Sequence, residues 1–318
     1  MQRTPRTHDR ERAGSARVEV GAVRPRCLTN MSSQPCARYS IYTQTPHSYI
    51  QHQKEHPHRI NVRTNQTVHT TMSAPPAHTG YAFTGFEHLH NDIYPSISAS
   101  SSPALQQSGK VVLVTGAGRG IGRAIALQYA HASAAAIVLC ARTPSELDEV
   151  EGKIQEINSS IRVLKYSVDV TSEEAVRKLA EDVQTKEKRL DILINNAGTS
   201  APWVPVAASD PSAWWKTLEV NLKGPFLFLH AFLPLLTATA EQEKTMVDVV
   251  NISSMGAHMI APGASAYQTS KLALLRLGEF VHAEYGAKGV NVVGVNPGGV
   301  LTSLSEQEER LRPCKCTL

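Results

Sequence analysis

The sequence predicts an α/β protein: a doubly wound parallel sheet of about six strands with helices on both faces, over residues 109–318, preceded by a disordered extension over residues 1–108. Three observations predict it. From Lys110 onward, short β-branched runs alternate with helical segments in units of roughly 30 residues, the pattern of βαβ crossovers and a parallel sheet. A glycine-rich loop follows the first of these runs. Before Gly109 no apolar period is sustained; His, Ser, Thr, Pro, Gln and Arg dominate, and such a chain cannot bury enough apolar surface to offset its conformational entropy.

The elements follow in order. Residues 111–115 (VVLVT) read as a buried strand, followed by a helix from Ile121 to about Ala132. Residues 135–141 (AAIVLCA) form a second strand, after which Thr143, Pro144 and Glu146 supply an N-cap, a proline at the first helical position and a capping-box acid for a helix to about Ile157. Residues 161–168 form the third strand, and Thr171 with Glu174 makes another capping box, for a helix to about Lys186. Residues 190–198 (LDILINNAG) form the fourth strand, and Asp210-Pro211 caps a long helix through Leu236. Residues 245–253, a helix over Ser265 to Tyr285, and residues 290–297 complete the pattern. Right-handed crossovers place the ligand crevice at the carboxyl ends of the strands.

Composition narrows the partners. Eleven Lys/Arg against six Asp/Glu lie before Gly109, and 21 against 22 from Gly109 onward, so the net charge of +4 belongs to the extension and does not mark a nucleic-acid-binding face. Nine of the 13 His also precede Gly109, but His52, His56 and His58 sit in a stretch too polar to fold around a metal. Five Cys make no disulfide framework in a chain of this size; Cys140 reads as core, and the C-x-C of Cys314 and Cys316 lacks a second pair, so no metal site is expected. The longest apolar run, Pro225 to Leu236, is interrupted by His230 and falls short of the roughly 20 residues of a membrane span. A reducing, cytoplasmic location is expected. The Arg-rich opening points to a mitochondrial transit peptide as the alternative, against which Asp9, Glu11 and Glu19 count; Met72 is a second candidate start.

Between the first strand and its helix lies Thr115-Gly116-Ala117-Gly118-Arg119-Gly120-Ile121-Gly122. Glycine permits the tight turn and a close approach to a pyrophosphate, and the helix N-terminus offers unpaired N–H donors. The dinucleotide fingerprint G-x-G-x-x-G fails, because Ile121 stands where its last glycine belongs. The spacing TGxxxGIG instead resembles the short-chain dehydrogenase/reductase family, whose Rossmann fold matches the element order. Where an acid would accept the ribose 2′-hydroxyl of NAD, the second strand ends in Ala141-Arg142; with Arg119 this gives two cations suited to a 2′-phosphate, so NADP is favoured over NAD.

The remaining motifs appear in family order. Tyr267 and Lys271, four residues apart, share one helix face, and an ammonium beside a phenol stabilises the phenolate and makes a usable acid/base. Ser254 ends the fifth strand, where its hydroxyl would hold the substrate oxygen; alternation turns Ser253 away from the crevice. The resemblance implies a catalytic set of Ser254, Tyr267 and Lys271, with Lys271 also binding ribose and Asn221 holding a water that relays protons toward it. It further implies that Asp169 and Val170 meet the adenine, that Asn196, Ala197 and Gly198 line the cofactor, and that Pro297, Gly298, Val300 and Thr302 pack on the nicotinamide. The implied activity is reversible NAD(P)-dependent reduction of a small-molecule ketone or other carbonyl to an alcohol.

The family core continues well past the Pro-Gly segment, into a substrate lid and a seventh strand, whereas Leu318 lies 16 residues beyond Thr302. A shortened core with little turnover, acting as a cofactor-binding or dimerisation module, is therefore the alternative. The helices bearing Asn221 and Tyr267 are the family's dimer face, implying a homodimer or homotetramer, and Phe226, Phe228 and Phe232 are either part of that face or ordinary core. A sugar epimerase of the extended branch is disfavoured, because that branch uses TGxxGxxG. Trp203, in the loop 199–209, points to an apolar or aromatic substrate.

Overall fold

The computed structural model describes residues 93–300 and 302–304, all within the unit Thr71–Leu318. Expectations about residues 1–92 and 305–318, including the His-rich tract, Met72 and the Cys314/Cys316 pair, lie outside the described residues.

Six strands form one parallel sheet: β1 (Val111–Thr115), β2 (Ala136–Ala141), β3 (Arg162–Ser167), β4 (Ile192–Asn195), β5 (Val247–Ile252) and β6 (Val290–Val295), in the order β3-β2-β1-β4-β5-β6. Every pairing is parallel, with registers such as Val112↔Ile137, Val112↔Ile192 and Val249↔Val292. The helices are α1 (Gly120–His131), α2 (Pro144–Ile157), α3 (Glu173–Lys186), α4 (Pro211–Leu218), α5 (Gly224–Glu243) and α6 (Ser265–Tyr285). The expected doubly wound fold is thus the observed one, with the order reversing between β1 and β4, where a crevice opens at the strand ends.

Alternation along β1 sorts the core into two layers. Val112 and Val114 join Ala126 of α1 and Leu147, Val150 and Ile154 of α2 on one face. Val111 and Leu113 join Val176 and Val183 of α3 and Phe228 and Phe232 of α5 on the other. All five β1 residues are buried, because helices cover both faces of a central parallel strand. The β3 edge is half-exposed and carries charge instead: Lys165 Nζ meets Asp148 at 2.5 Å and Glu151 at 2.6 Å, both on α2.

Several local expectations need correction. The helix expected to run unbroken from Asp210-Pro211 to Leu236 is α4, then a single π-turn over Glu219–Lys223, then α5, which extends to Glu243. Proline supplies the reason: in an α-helix the Asn221 carbonyl would take the amide of residue 225, but Pro225 has no N–H and its ring crowds that carbonyl. The cap of α3 is Ser172, whose hydroxyl accepts from Ala175 N, and not Thr171. Thr171 is held instead by Asp169, whose Oδ1 accepts from Thr171 N at 2.9 Å and Oγ1 at 2.8 Å. Thr143 precedes α2 as expected but makes no side-chain cap bond.

Residues 93–108, which were expected to belong to the disordered extension, contain 3-10 turns at Pro95–Ile97 and Pro103–Leu105. They are tied to the domain by Gln107 N donating to Ala132 O at 2.7 Å. Of the three α5 phenylalanines, Phe228 and Phe232 are fully buried, while Phe226 is exposed and stacks on His230. The helical run Pro211–Glu243 is long and apolar enough to cross a membrane by length and composition, although its longest unbroken apolar stretch is short; more than half of its apolar window is buried in the domain.

Candidate active site

A cleft of ≈ 610 Å³ opens along the strand ends, within the size range of small-molecule sites. Its floor is the glycine loop. Gly116 and Gly120 adopt φ +65° and +56°, open to glycine at little cost. The loop is held from both sides: Ala117 N donates to Cys140 O of β2 at 3.1 Å, and Asn196 Nδ2 donates to Thr115 O at 2.8 Å and Gly116 O at 3.2 Å. Any Cβ on Gly122 would lie 2.2 Å from Gly116 O, so this glycine packs α1 against the loop and does not border the cleft. Backbone amides at a helix start suit the pyrophosphate of a dinucleotide. The residues that would hold such a group are Gly116, Gly120 and Ile121, together with Asp169, Val170, Asn196, Ala197 and Gly198, all bordering the cleft.

At the β2 end stand Arg119 and Arg142. Arg119 is largely exposed, 3.7 Å from Glu146. Asp169 has its carboxyl held below the usual range, chiefly by the Thr171 amide and hydroxyl, with help from nearby Lys216 and Arg142.

The opposite end is built on α6. Tyr267 and Lys271 both border the cleft, with Lys271 Nζ 5.7 Å from the Tyr267 ring centroid. Lys271 is buried and donates to Ile252 O at 2.8 Å. Burial pushes its ammonium down to about 8, so it remains mostly charged at neutral pH. Gly198 passes close by: a Cβ there would lie in ordinary contact, 3.4 Å from Asn221 Oδ1 and 3.6 Å from Lys271 Nζ.

Asn221, fully buried in the π-turn, uses both ends of its amide on protein groups. Oδ1 accepts from Thr199 N at 2.8 Å; Nδ2 donates to Thr199 O at 2.8 Å and to Ser270 Oγ at 3.0 Å. Ser270 in turn donates to Tyr267 O at 2.6 Å. Ser254 Oγ accepts from Gly256 N at 3.0 Å, while Ser253 donates to Lys271 O at 3.3 Å. Ser253, and not Ser254, borders the cleft. Pro297 and Thr302 border it too, with Thr302 Cγ2 3.3 Å from the Cβ position of Gly120; Gly298 and Val300 do not.

Two supporting residues escaped the sequence reading. Thr115 Oγ1 donates to Ile194 O at 3.2 Å and accepts from Asn196 N and Ala197 N, joining the two strands on which the loop rests. Its signal was a hydroxyl at the end of an otherwise apolar strand. Ser270, three residues after Tyr267, was equally visible as a small polar residue beside the lysine. Cys140 is buried core, its thiol pushed up to about 12 by burial. Among the described residues no group of three or more His, Cys, Asp or Glu is placed to hold a metal.

A six-stranded doubly wound sheet, a glycine cradle at its switch point and a tyrosine–lysine pair across the cleft define a nucleotide-dependent oxidoreductase of the Rossmann class. The short chain dehydrogenase family model matches residues 110–312, and the chain belongs to that family. Short chain dehydrogenase mpl6 of Monascus purpureus is 44% identical over 239 residues, 74% of this chain and 77% of the relative. Short chain dehydrogenase pigC of Monascus ruber is 38% identical over 219 residues, 68% of this chain and 70% of the relative. Among solved structures, NAD+-bound xylitol dehydrogenase matches with a TM-score of 0.55 at 31% identity over 60% of this chain and 70% of that one. A metagenomic short-chain oxidoreductase in complex with NADP matches with a TM-score of 0.55 at 34% identity, over 61% and 84%.

Proposed function

We propose that this oxidoreductase reduces the carbonyl of a small molecule to an alcohol, reversibly, with NADPH favoured over NADH. The observation that carries the reading is the buried Lys271 ammonium, fixed to Ile252 O and 5.7 Å from the Tyr267 ring. A bound nicotinamide supplies the hydride. Tyr267 gives its phenolic proton to the substrate oxygen, and the neighbouring cation stabilises the phenolate left behind. Lys271 uses one of its three N–H donors on Ile252 O; the others serve the ribose and the returning proton. Ser254 Oγ accepts the Gly256 amide and so keeps its own proton to donate; standing outside the cleft, it would have to turn toward the substrate oxygen to do so.

Proton return through Asn221 falls to its main-chain carbonyl, since its amide is taken at both ends and Pro225 offers that carbonyl no helical donor. The preference for NADPH rests on Arg119 and Arg142 at the β2 end of the cleft and on the lack of an acid directly after β2. Of the two similar structures described above, one holds NAD+ and the other NADP, so both forms occur among relatives. Exposed Trp215, Phe226, Leu272 and Phe280 on α4, α5 and α6 support self-association through the Asn221 and Tyr267 helices. A cytoplasmic location completes the proposal.

The test is Tyr267→Phe. NADPH oxidation with a panel of ketones and quinones should fall by about 10²–10⁴, while NADPH binding followed by fluorescence is unchanged; retained turnover refutes the role. A second reading, a nucleotide-binding or dimerisation module with little turnover, is favoured by one observation: Ser254 does not border the cleft. NADPH binding without oxidation by any of the panel in the unaltered protein would establish it.

A further inference from the structure

Glu146 has no part in the scheme above, yet its carboxylate overhangs the glycine loop. A Cβ on Gly118 would lie 2.6 Å from Glu146 Oε2 and 2.8 Å from Glu146 Cβ. Its other oxygen faces Arg119 Nη1 at 3.7 Å. Sequence spacing suggested a different duty, the acid of a capping box on Thr143, but Thr143 makes no side-chain cap bond. The glutamate instead borders the cleft beside Arg119, Arg142 and Thr143.

Position assigns this corner to one part of the ligand. Tyr267 and Lys271 occupy the β5 side, where the reacting ring must sit, so a dinucleotide crossing the glycine loop places its adenosine ribose on the β2 side, among Arg119, Arg142 and Glu146. The two arginines favour a 2′-phosphate there. A carboxylate has the opposite preference, since it accepts a hydrogen bond from a 2′-hydroxyl and repels a phosphate. It also competes for Arg119, which a phosphate would need to recruit.

We propose that Glu146 sets the balance between the two forms of the nicotinamide dinucleotide, restraining the preference for the 2′-phosphate by occupying Arg119 and by offering an acceptor to a 2′-hydroxyl. The assignment rests on the dinucleotide reading given above. It makes the protein less selective for NADPH than its two arginines imply, and it places the discriminating acid on the first turn of α2, not at the end of β2.

Calorimetric titration of the full chain with 2′,5′-ADP and 5′-AMP tests this without any need for turnover. In Glu146→Gln the ratio of the 5′-AMP dissociation constant to that of 2′,5′-ADP should rise about five- to tenfold, the scale of one partly exposed charge pair together with a recruited arginine. Glu146→Ala should move the ratio in the same direction. In an Arg119→Gln background the Glu146→Gln effect should shrink, because half of the proposed mechanism acts through that arginine. An unchanged or falling ratio in Glu146→Gln, with both fragments binding the unaltered protein, overturns the role of Glu146 and leaves the dinucleotide reading standing. If neither fragment binds the unaltered protein, the dinucleotide reading fails and this inference fails with it.

Discussion

Replacing Lys271 by methionine should make the nucleotide-free protein more stable at pH 7 while abolishing its chemistry. The ammonium is buried, and its titration point moves from 10.5 to about 8 because burial disfavours the charged form. Below pH 8 the group is charged in both the folded and the unfolded chain, so the full burial cost is present, about 3 kcal/mol for a shift of this size. Between pH 8 and 10.5 the unfolded chain holds the proton that the folded chain has lost, and stability rises with pH. Above 10.5 neither state is charged and the cost has gone. Methionine keeps the length and apolar stem but orphans Ile252 O, which loses a 2.8 Å bond worth about 1 kcal/mol. The net gain at pH 7 is therefore about 2 kcal/mol, or roughly 4–8 °C in melting temperature for a domain of this size. Thermal melts followed by circular dichroism from pH 6.5 to 10.5 should show the advantage roughly halved by pH 9 and inverted near pH 10. A variant less stable than the parent at pH 7, or a difference independent of pH, would refute the assignment of a desolvated cation.

Two glycine substitutions form a matched pair. Gly122→Ala should lower stability by about 3 kcal/mol or more, because the methyl would meet Gly116 O at 2.2 Å and Asn196 Nδ2 at 2.4 Å, atoms already bonded to each other; a urea midpoint within error of the parent would contradict this. Gly152→Ala, in an exposed turn of α2 with nothing within 4 Å of the new methyl, should raise stability by roughly 0.5–1 kcal/mol through helix propensity alone, read from the same urea curves.

The strands and the outer helices were legible because their signals are local. The β1 run is apolar and β-branched, as a strand covered on both faces requires, and α6 spans the expected Ser265–Tyr285. What escaped depends on neighbours across the fold. Glu146 stands where a capping box needs it, but it also faces Arg119 of the adjacent loop at 3.7 Å, a neighbour that spacing along the chain does not reveal. Thr171 and Ser172 compete for one cap, and Asp169 decides the contest by engaging Thr171. The π-turn was in principle readable, since Pro225 lies four residues after Asn221, but it takes asking which carbonyl that proline deprives. In the site, spacing put Tyr267 and Lys271 on one face, but strand alternation chose Ser254 for the cleft where Ser253 borders it, because β5 ends at Ile252 and alternation no longer holds beyond it.

The glycine loop shows how the sheet prepares a site for an anion. Carbonyl oxygens of Thr115 and Gly116 would repel a phosphate, and both are drawn away by the Asn196 side chain. That asparagine is itself fixed, because its own amide and that of Ala197 donate to the Thr115 hydroxyl at 2.9 and 3.1 Å. On the other side Ala117 is bound to Cys140 O. Three neighbouring strands thus hold the turn, and its left-handed glycines need no ligand to maintain their conformation. Ordering a loop residue costs about 1–2 kcal/mol of backbone entropy. In this arrangement that cost falls on folding, supported by the buried strands on either side, and is not subtracted from nucleotide affinity. A nucleotide would meet a loop that is already rigid, because its donating amides belong to the helix while its restraints belong to the sheet.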